Sequence, residues 1–264
     1  MRRWEKTIRM EMLLKNKVIV ISGGTKGVGR AVAEESASQG AFVVIGDRDE
    51  MAGKIVVRMI ETHGRDGLFV RTELRDTGDC RKLFDRAMER FGRVDGFFNY
   101  AGVTWVSGLD SCDQATFDEI MDINFRAAFF CCQNAVRCMR LDRGGSIVLA
   151  NSGHAWGGQK DRAAYACSKG ALMTLSEHIA HNYASEHIRC NLLTMGWTPT
   201  EGEVDLRSAQ GISEPELRRD ASKVIPMGRM LERSDYVQGV LYLLSDHSSM
   251  MTGSNFRITG GEYI

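Results

Sequence analysis

The chain has 264 residues, of which 43% are hydrophobic and 26% charged, and its 34 Lys+Arg balance 34 Asp+Glu. This composition suits a folded globular protein and excludes extended disorder; without a basic excess or stripe, a nucleic-acid partner is not expected. No apolar run reaches the roughly 18 residues that a membrane span needs, and seven scattered cysteines without a Cys-x-x-Cys pair point to reduced thiols in a cytoplasmic protein rather than a disulfide frame or metal site.

Residues 1–14 include Arg2, Arg3, Lys6 and Arg9 but lack the apolar stretch and cleavage site of a leader, and read as a short mobile extension before one domain over 15–264. Lys17 to Ile21 is a β-branched run, followed by a glycine-rich turn and an apolar-periodic helix from Val28 to Gln39. The same unit recurs. Strands are predicted at 41–45, 67–70, 94–98, 146–149, 188–193 and 255–259, with helices at 50–62, 78–91, 115–139, around Tyr165 and at 235–244. Continuous apolar strands alternating with helices predict a single Rossmann-like, doubly wound α/β domain with a parallel sheet of about seven strands. Residues 198–228 carry all three prolines and read as an irregular substrate-binding loop or lid.

Three features carry chemistry. The stretch Ser22, Gly23, Gly24, Thr25, Lys26, Gly27, Val28, Gly29 joins the first strand to the first helix, where bare backbone lets a pyrophosphate approach a helix N-terminus. Asp47 ends the second strand, placed to accept hydrogen bonds from both hydroxyls of an adenosine ribose and to repel a 2′-phosphate. NAD is therefore expected as cofactor, with NADP as the second candidate because Arg48 offsets part of that repulsion. The third feature is Tyr165 with Lys169, four residues apart and so on one helix face. A cation beside a phenol favours the phenolate and makes the pair a candidate acid/base, although the same spacing occurs on many solvated helices.

With these features in order, the chain resembles the short-chain dehydrogenase/reductase (SDR) family from about Lys15 to Tyr263. The glycine turn resembles its Thr-Gly-x-x-x-Gly-x-Gly with Ser22 for Thr, and Asn99-Tyr100-Ala101-Gly102 its Asn-Asn-Ala-Gly with Tyr100 for the second Asn. The resemblance implies an oxidoreductase that interconverts a secondary alcohol and a ketone. It implies catalytic roles for Asn124, Ser152, Tyr165 and Lys169, the last also holding the nicotinamide ribose. It places Glu73 and Leu74 beside the adenine, Asn99, Ala101 and Gly102 behind the cofactor, and Thr198 and Thr200 at the carboxamide and pyrophosphate. No metal is implied, and a homo-oligomer, dimer or tetramer, is. Two other readings of the resemblance are a 3-oxoacyl-thioester reductase and a nucleotide-sensing protein without catalysis. Against the first stand Asp47 and the presence of Phe130 and Glu186 where carrier-docking reductases place arginines.

For the small-molecule substrate, Trp105, Trp156 and Trp197 fall after strands, at the ligand-binding edge of such sheets, with His154, Gln159, Glu201 and Glu203 in the same loops. Flat apolar walls beside hydrogen-bonding groups suit a sugar, sugar acid or polyol.

Overall fold

The computed structural model describes residues 12–262. Its strands are β1 (Val18–Ser22), β2 (Phe42–Asp47), β3 (Gly67–Arg71), β4 (Gly96–Asn99), β5 (Gly145–Ser152), β6 (Ile188–Met195) and β7 (Asn255–Ile258). The helices are α1 (Gly27–Ser38), α2 (Glu50–Thr62), α3 (Thr77–Phe91), α4 (Gln114–Met121), α5 (Ala127–Met139), α6 (Ala163–Asn182), α7 (Glu201–Ala209), α8 (Glu214–Val224) and α9 (Arg233–Leu244). All strand pairs are parallel, in the order β3-β2-β1-β4-β5-β6-β7.

Alternation along β1 explains why the strands read as unbroken apolar runs. Ile19 and Ile21 enter one core with Val32 of α1 and Leu241 of α9, while Val18 and Val20 enter the other with Phe84 of α3 and Leu172 of α6. Each sheet face is thus sealed by helices, and both sets of side chains leave water. The chain order reverses between β1 and β4, so the loops after these two strands diverge and leave a crevice at their carboxyl ends.

Three sequence expectations are corrected. Leu14, placed in the mobile extension, is fully buried, and its N–H donates to the Gln39 carbonyl at 3.1 Å; residues 1–11 lie outside the described residues. The helix expected over 115–139 is broken into α4 and α5 by a π-helical turn, Asp122–Arg126. The stretch 198–228 is largely helical, as α7 and α8. Its prolines mark helix boundaries instead of irregular chain: Pro199 precedes the Thr200 N-cap, Pro215 sits in the first turn of α8 behind a Ser213–Glu216 capping box, and Pro226 follows the last turn.

None of the seven cysteines is bonded to another. Among the described residues no helix is long and apolar enough to cross a membrane, and no cluster of His, Cys, Asp or Glu could hold a metal ion.

Candidate active site

The crevice is a cleft of about 1090 Å³, and part of its wall is the turn between β1 and α1. Gly23 there has φ 75°, and a Cβ on it would stand 2.9 Å from the Ala101 backbone. On Gly29 a Cβ would meet the Gly23 carbonyl oxygen at 2.3 Å and the Tyr100 ring at 2.7 Å. The departure at Tyr100 now has a structural meaning. Its ring stacks on Phe98 at 5.8 Å and lies under the turn, its hydroxyl 2.6 Å from where a Gly27 Cβ would be. Burial pushes the phenol up to about 12, against a hydrogen bond from the Val28 backbone. Bracing from the Asn99 side remains, because Ser22 Oγ donates to Asn99 Oδ1 at 3.0 Å. We expect Gly29→Ala to cost roughly 2 kcal/mol of stability and to weaken dinucleotide binding at least about tenfold, since the obstructing atom is backbone. Chemical denaturation and a cofactor titration check both numbers.

Beyond the turn, Asp47 lies at the tip of β2 with both oxygens engaged. Oδ1 accepts the N–H of Arg48 at 2.7 Å and of Asp49 at 3.4 Å, and Oδ2 accepts the Thr25 hydroxyl at 2.5 Å. These bonds fix the carboxylate at the cleft wall while Oδ2 keeps a lone pair. Glu73 and Leu74 line the same end; the Glu73 N–H is tied to Asp79 at 2.9 Å, and its carboxylate pairs with Arg75 at 3.4 Å.

At the other end α6 presents Tyr165 and Lys169 on one face. Lys169 is buried, its Nζ donates to the Ala150 carbonyl at 2.9 Å, and desolvation brings it down to about 8. The expected pull of this lysine on the phenol is not the ruling effect. Tyr165 is raised above its ordinary value by burial, and the opposing influences are a hydrogen bond with the Ser152 side chain and the charge of Arg162, with Glu203 adding to the rise. Lys169 Nζ lies 5.8 Å from the Tyr165 ring centre. Ser152 ends β5, where register sets it opposite Met195 of β6.

Asn124 is fully buried inside the π-helical turn and does not line the cleft. Its amide clamps the loop after β4 through both groups of one residue: Val103 N–H donates to Oδ1 at 2.8 Å and Nδ2 donates to the Val103 carbonyl at 2.9 Å. The wider turn sets the amide at the depth these bonds need, which gives the helical irregularity a positional reason. Gly102 lies alongside; a Cβ on it would approach Asn124 Oδ1 at 3.1 Å.

The remaining wall follows β6. Trp197 Nε1 donates to Glu203 Oε1 at 2.8 Å, and the same oxygen accepts from Arg207 Nε at 2.8 Å, so the indole is held by a local ion pair. The Thr198 hydroxyl, 2.5 Å from the Tyr236 hydroxyl and 3.1 Å from the Gly196 carbonyl, is turned inward. Thr200 caps α7. Trp105, His154, Gln159 and Glu201 line the cleft, with His154 edge-on to Tyr165 at 5.8 Å and Glu201 paired to Arg233 at 2.9 Å. Burial lowers the His154 pKa, and Gln159 N–H donates to its Nδ1 at 3.2 Å. Trp156 is the exception: it lies outside the cleft, half exposed, under the Arg257 guanidinium at 4.6 Å.

Ser22, Gly27, Val28, Gly29 and Asn99 form the backing of the wall, while Gly23, Thr25, Lys26, Asp47, Arg48, Ala101, Gly102, Tyr165 and Lys169 face the space. Sequence reading missed Thr72, Arg162 and Arg207, which also line it. Only Arg162 left a signal, a cation one helical turn before Tyr165. The bare glycine turn and the anchored Asp47 carboxylate fit an elongated polar ligand such as a nicotinamide dinucleotide.

Comparison with known proteins agrees with this geometry. A family model described as enoyl-(acyl carrier protein) reductase matches residues 23–262. The chain is 30% identical to a 3alpha-hydroxysteroid dehydrogenase of Mediterraneibacter gnavus, over 95% of this chain and 98% of that one. It is 29% identical to an L-rhamnose 1-dehydrogenase (NAD(P)(+)) of Azotobacter vinelandii, over 96% and 99%. A crystal structure of a short-chain type dehydrogenase/reductase from Mycobacterium marinum superposes with a TM-score of 0.88 at 28% identity, over 96% and 97%. Sequence motifs, sheet order, cleft and relatives converge, and the chain belongs to the short-chain dehydrogenase/reductase family of NAD(P)-linked oxidoreductases.

Proposed function

We propose that this protein is an NAD-dependent dehydrogenase acting on a secondary alcohol of a sugar, sugar acid or polyol. The observation that carries the substrate class is the make-up of the cleft around Tyr165. Trp105 and Trp197 line it together with His154, Gln159 and the Glu203–Arg207 pair, a mixture of aromatic surface and hydroxyl-binding groups. The rhamnose dehydrogenase supports this reading; the hydroxysteroid dehydrogenase shows that relatives of equal similarity act elsewhere.

In this reading the turn from Gly23 to Gly29 seats the pyrophosphate, Asp47 takes the adenosine ribose hydroxyls, and Lys169 reaches the nicotinamide ribose. When bound, the dinucleotide supplies the hydride acceptor. The protein's own residues do the rest. Tyr165 takes the proton from the alcohol oxygen during oxidation and returns it during reduction, Ser152 donates to the same oxygen, and Lys169 stabilises the phenolate as it forms. Asn124 acts through position, holding the 102–103 backbone against the nicotinamide end of the cleft. The carrier-docking alternative finds no support at its surface, where Glu186 is ion-paired to Arg140.

Rates with NAD and NADP over sugars, polyols, hydroxy acids and steroids, with Tyr165→Phe as blank, test the proposal. Efficient turnover of steroids with no activity on any polyhydroxylated compound would end it. The cofactor half has its own test. Asp47→Ser should weaken NAD binding by about tenfold to a hundredfold, the range for losing hydrogen bonds to a charged acceptor, and should tighten NADP binding. A variant with both affinities unchanged would remove Asp47 from the ribose site.

A further inference from the structure

Arg162 is the N-terminal flanking residue of α6, one turn before Tyr165. Its side chain is only 2% exposed, yet the residue lines the active-site cleft. A guanidinium has five N–H donors in a planar fork. Nη1 serves Asp161, at 3.3 Å to the carbonyl and 3.0 Å to Oδ2. Among the described residues Nε and Nη2 meet no acceptor. Neither of these nitrogens is among the fully buried atoms without a partner, and Arg162 is one of the residues that line the cleft.

The surrounding charges give these donors their significance. Arg207, the nearby cation on α7, is held by Glu203, and Glu201 is held by Arg233. Asp161 is a weak counterion for Arg162, because its own side chain is 48% exposed. A buried guanidinium with three donors unused is costly to keep unless something completes it. The charge of Arg162 is felt by both His154 and Tyr165, which puts it at the reacting end of the cleft.

We propose that Arg162 is a specificity-determining residue that binds a carboxylate of the substrate, so that the alcohol oxidised belongs to a hydroxy acid, the sugar-acid class, rather than to a neutral polyol. The proposal rests on the dehydrogenase reading above and narrows it. Nε–H and Nη2–H form a parallel pair that matches two carboxylate oxygens, a geometry lysine lacks. Because Arg162 and Tyr165 lie one turn apart on the same face, the carboxylate and the reacting hydroxyl are separated by only a short carbon chain.

The test compares wild type, Arg162→Gln and Arg162→Lys on short hydroxy acids and on their methyl esters, with NAD and with NADP, and titrates the matching keto acids against each protein in the presence of NADH or NADPH. We expect wild type to favour acid over ester by about a hundredfold in kcat/KM, the magnitude of one charge-assisted bidentate pair. Arg162→Gln should lose that preference mainly through KM and bind keto acids correspondingly more weakly, with dinucleotide affinity unchanged and a loss on the ester far smaller than the loss on the acid. Arg162→Lys should recover part of it. Equal losses on acid and ester would make Arg162 a structural or Tyr165-tuning group and overturn the proposal, as would a wild type indifferent to the carboxylate. If no alcohol of any class is oxidised, the dehydrogenase reading falls instead; the keto-acid titration still decides the role of Arg162, because an affinity insensitive to Arg162→Gln rules the anchor out.

Discussion

Tyr165→Phe should lower kcat for alcohol oxidation by about a thousandfold while leaving dinucleotide affinity within a factor of two or so, the middle of the range for losing a positioned acid/base. The substitution removes one oxygen from a partly buried ring and leaves the His154 edge contact and the packing of α6 in place. Its effect is therefore chemical rather than structural. Because burial holds the phenol above its ordinary value, the wild-type rate of oxidation should rise with pH as the phenolate forms. Steady-state rates from neutral to alkaline pH, with cofactor binding followed by fluorescence, check both parts. A Tyr165→Phe enzyme at full rate, or one that lost the dinucleotide together with the rate, would sink the assigned role.

Lys169→Met should move activity and stability in opposite directions. Catalysis falls by at least about a hundredfold, because the charge that holds the phenolate is gone. Stability at neutral pH rises. A lysine held at about 8 instead of 10.5 by burial carries a cost of roughly 3 kcal/mol in the folded state. Removing the bond to the Ala150 carbonyl returns about 1 kcal/mol of that, so a net gain near 2 kcal/mol is expected, or a Tm higher by roughly 4 °C or more. Below about pH 8 the lysine is charged in the folded and unfolded chain alike, and the cost is fully present. As pH rises from about 8 to 10.5, the folded protein releases the proton first, so the wild type recovers stability and the gap to Lys169→Met closes. Thermal unfolding of both proteins at neutral and alkaline pH, without dinucleotide and at equal concentration, measures it. A gap that did not change with pH would show that Lys169 keeps its ordinary affinity for protons.

These opposed signs reflect a site held at the expense of the fold, and they separate what local sequence can express from what it cannot. Helix α2 was legible to its ends, Glu50 and Thr62, because an Asp49 cap and an apolar stripe lie within one local window. The strands were legible as buried runs for the same reason. The stretch 198–228 was misread because proline is ambiguous to a local reading: it ends helices, but it also opens them, and Pro215 does the latter inside a capping box. The π-helical turn at Asn124 left no periodic mark at all, since one residue in a wider turn shifts the pattern by less than local composition does.

By itself the sequence determined the doubly wound architecture, the glycine turn, the Asp47 position and the Tyr165–Lys169 face, since each depends on residues near one another in the chain or on a spacing set by helix and strand geometry. Only the tertiary structure decided which side chains share the cleft. It turned Trp156 out to Arg257 and the Thr198 hydroxyl in toward Tyr236. It put Tyr100 under the glycine turn, and it set the buried Arg162 in the lining of the cleft that holds Tyr165. The reason is physical: burial, desolvation and hydrogen-bond partnership are set by atoms distant in sequence, and they fix where a polar group points and what charge it carries.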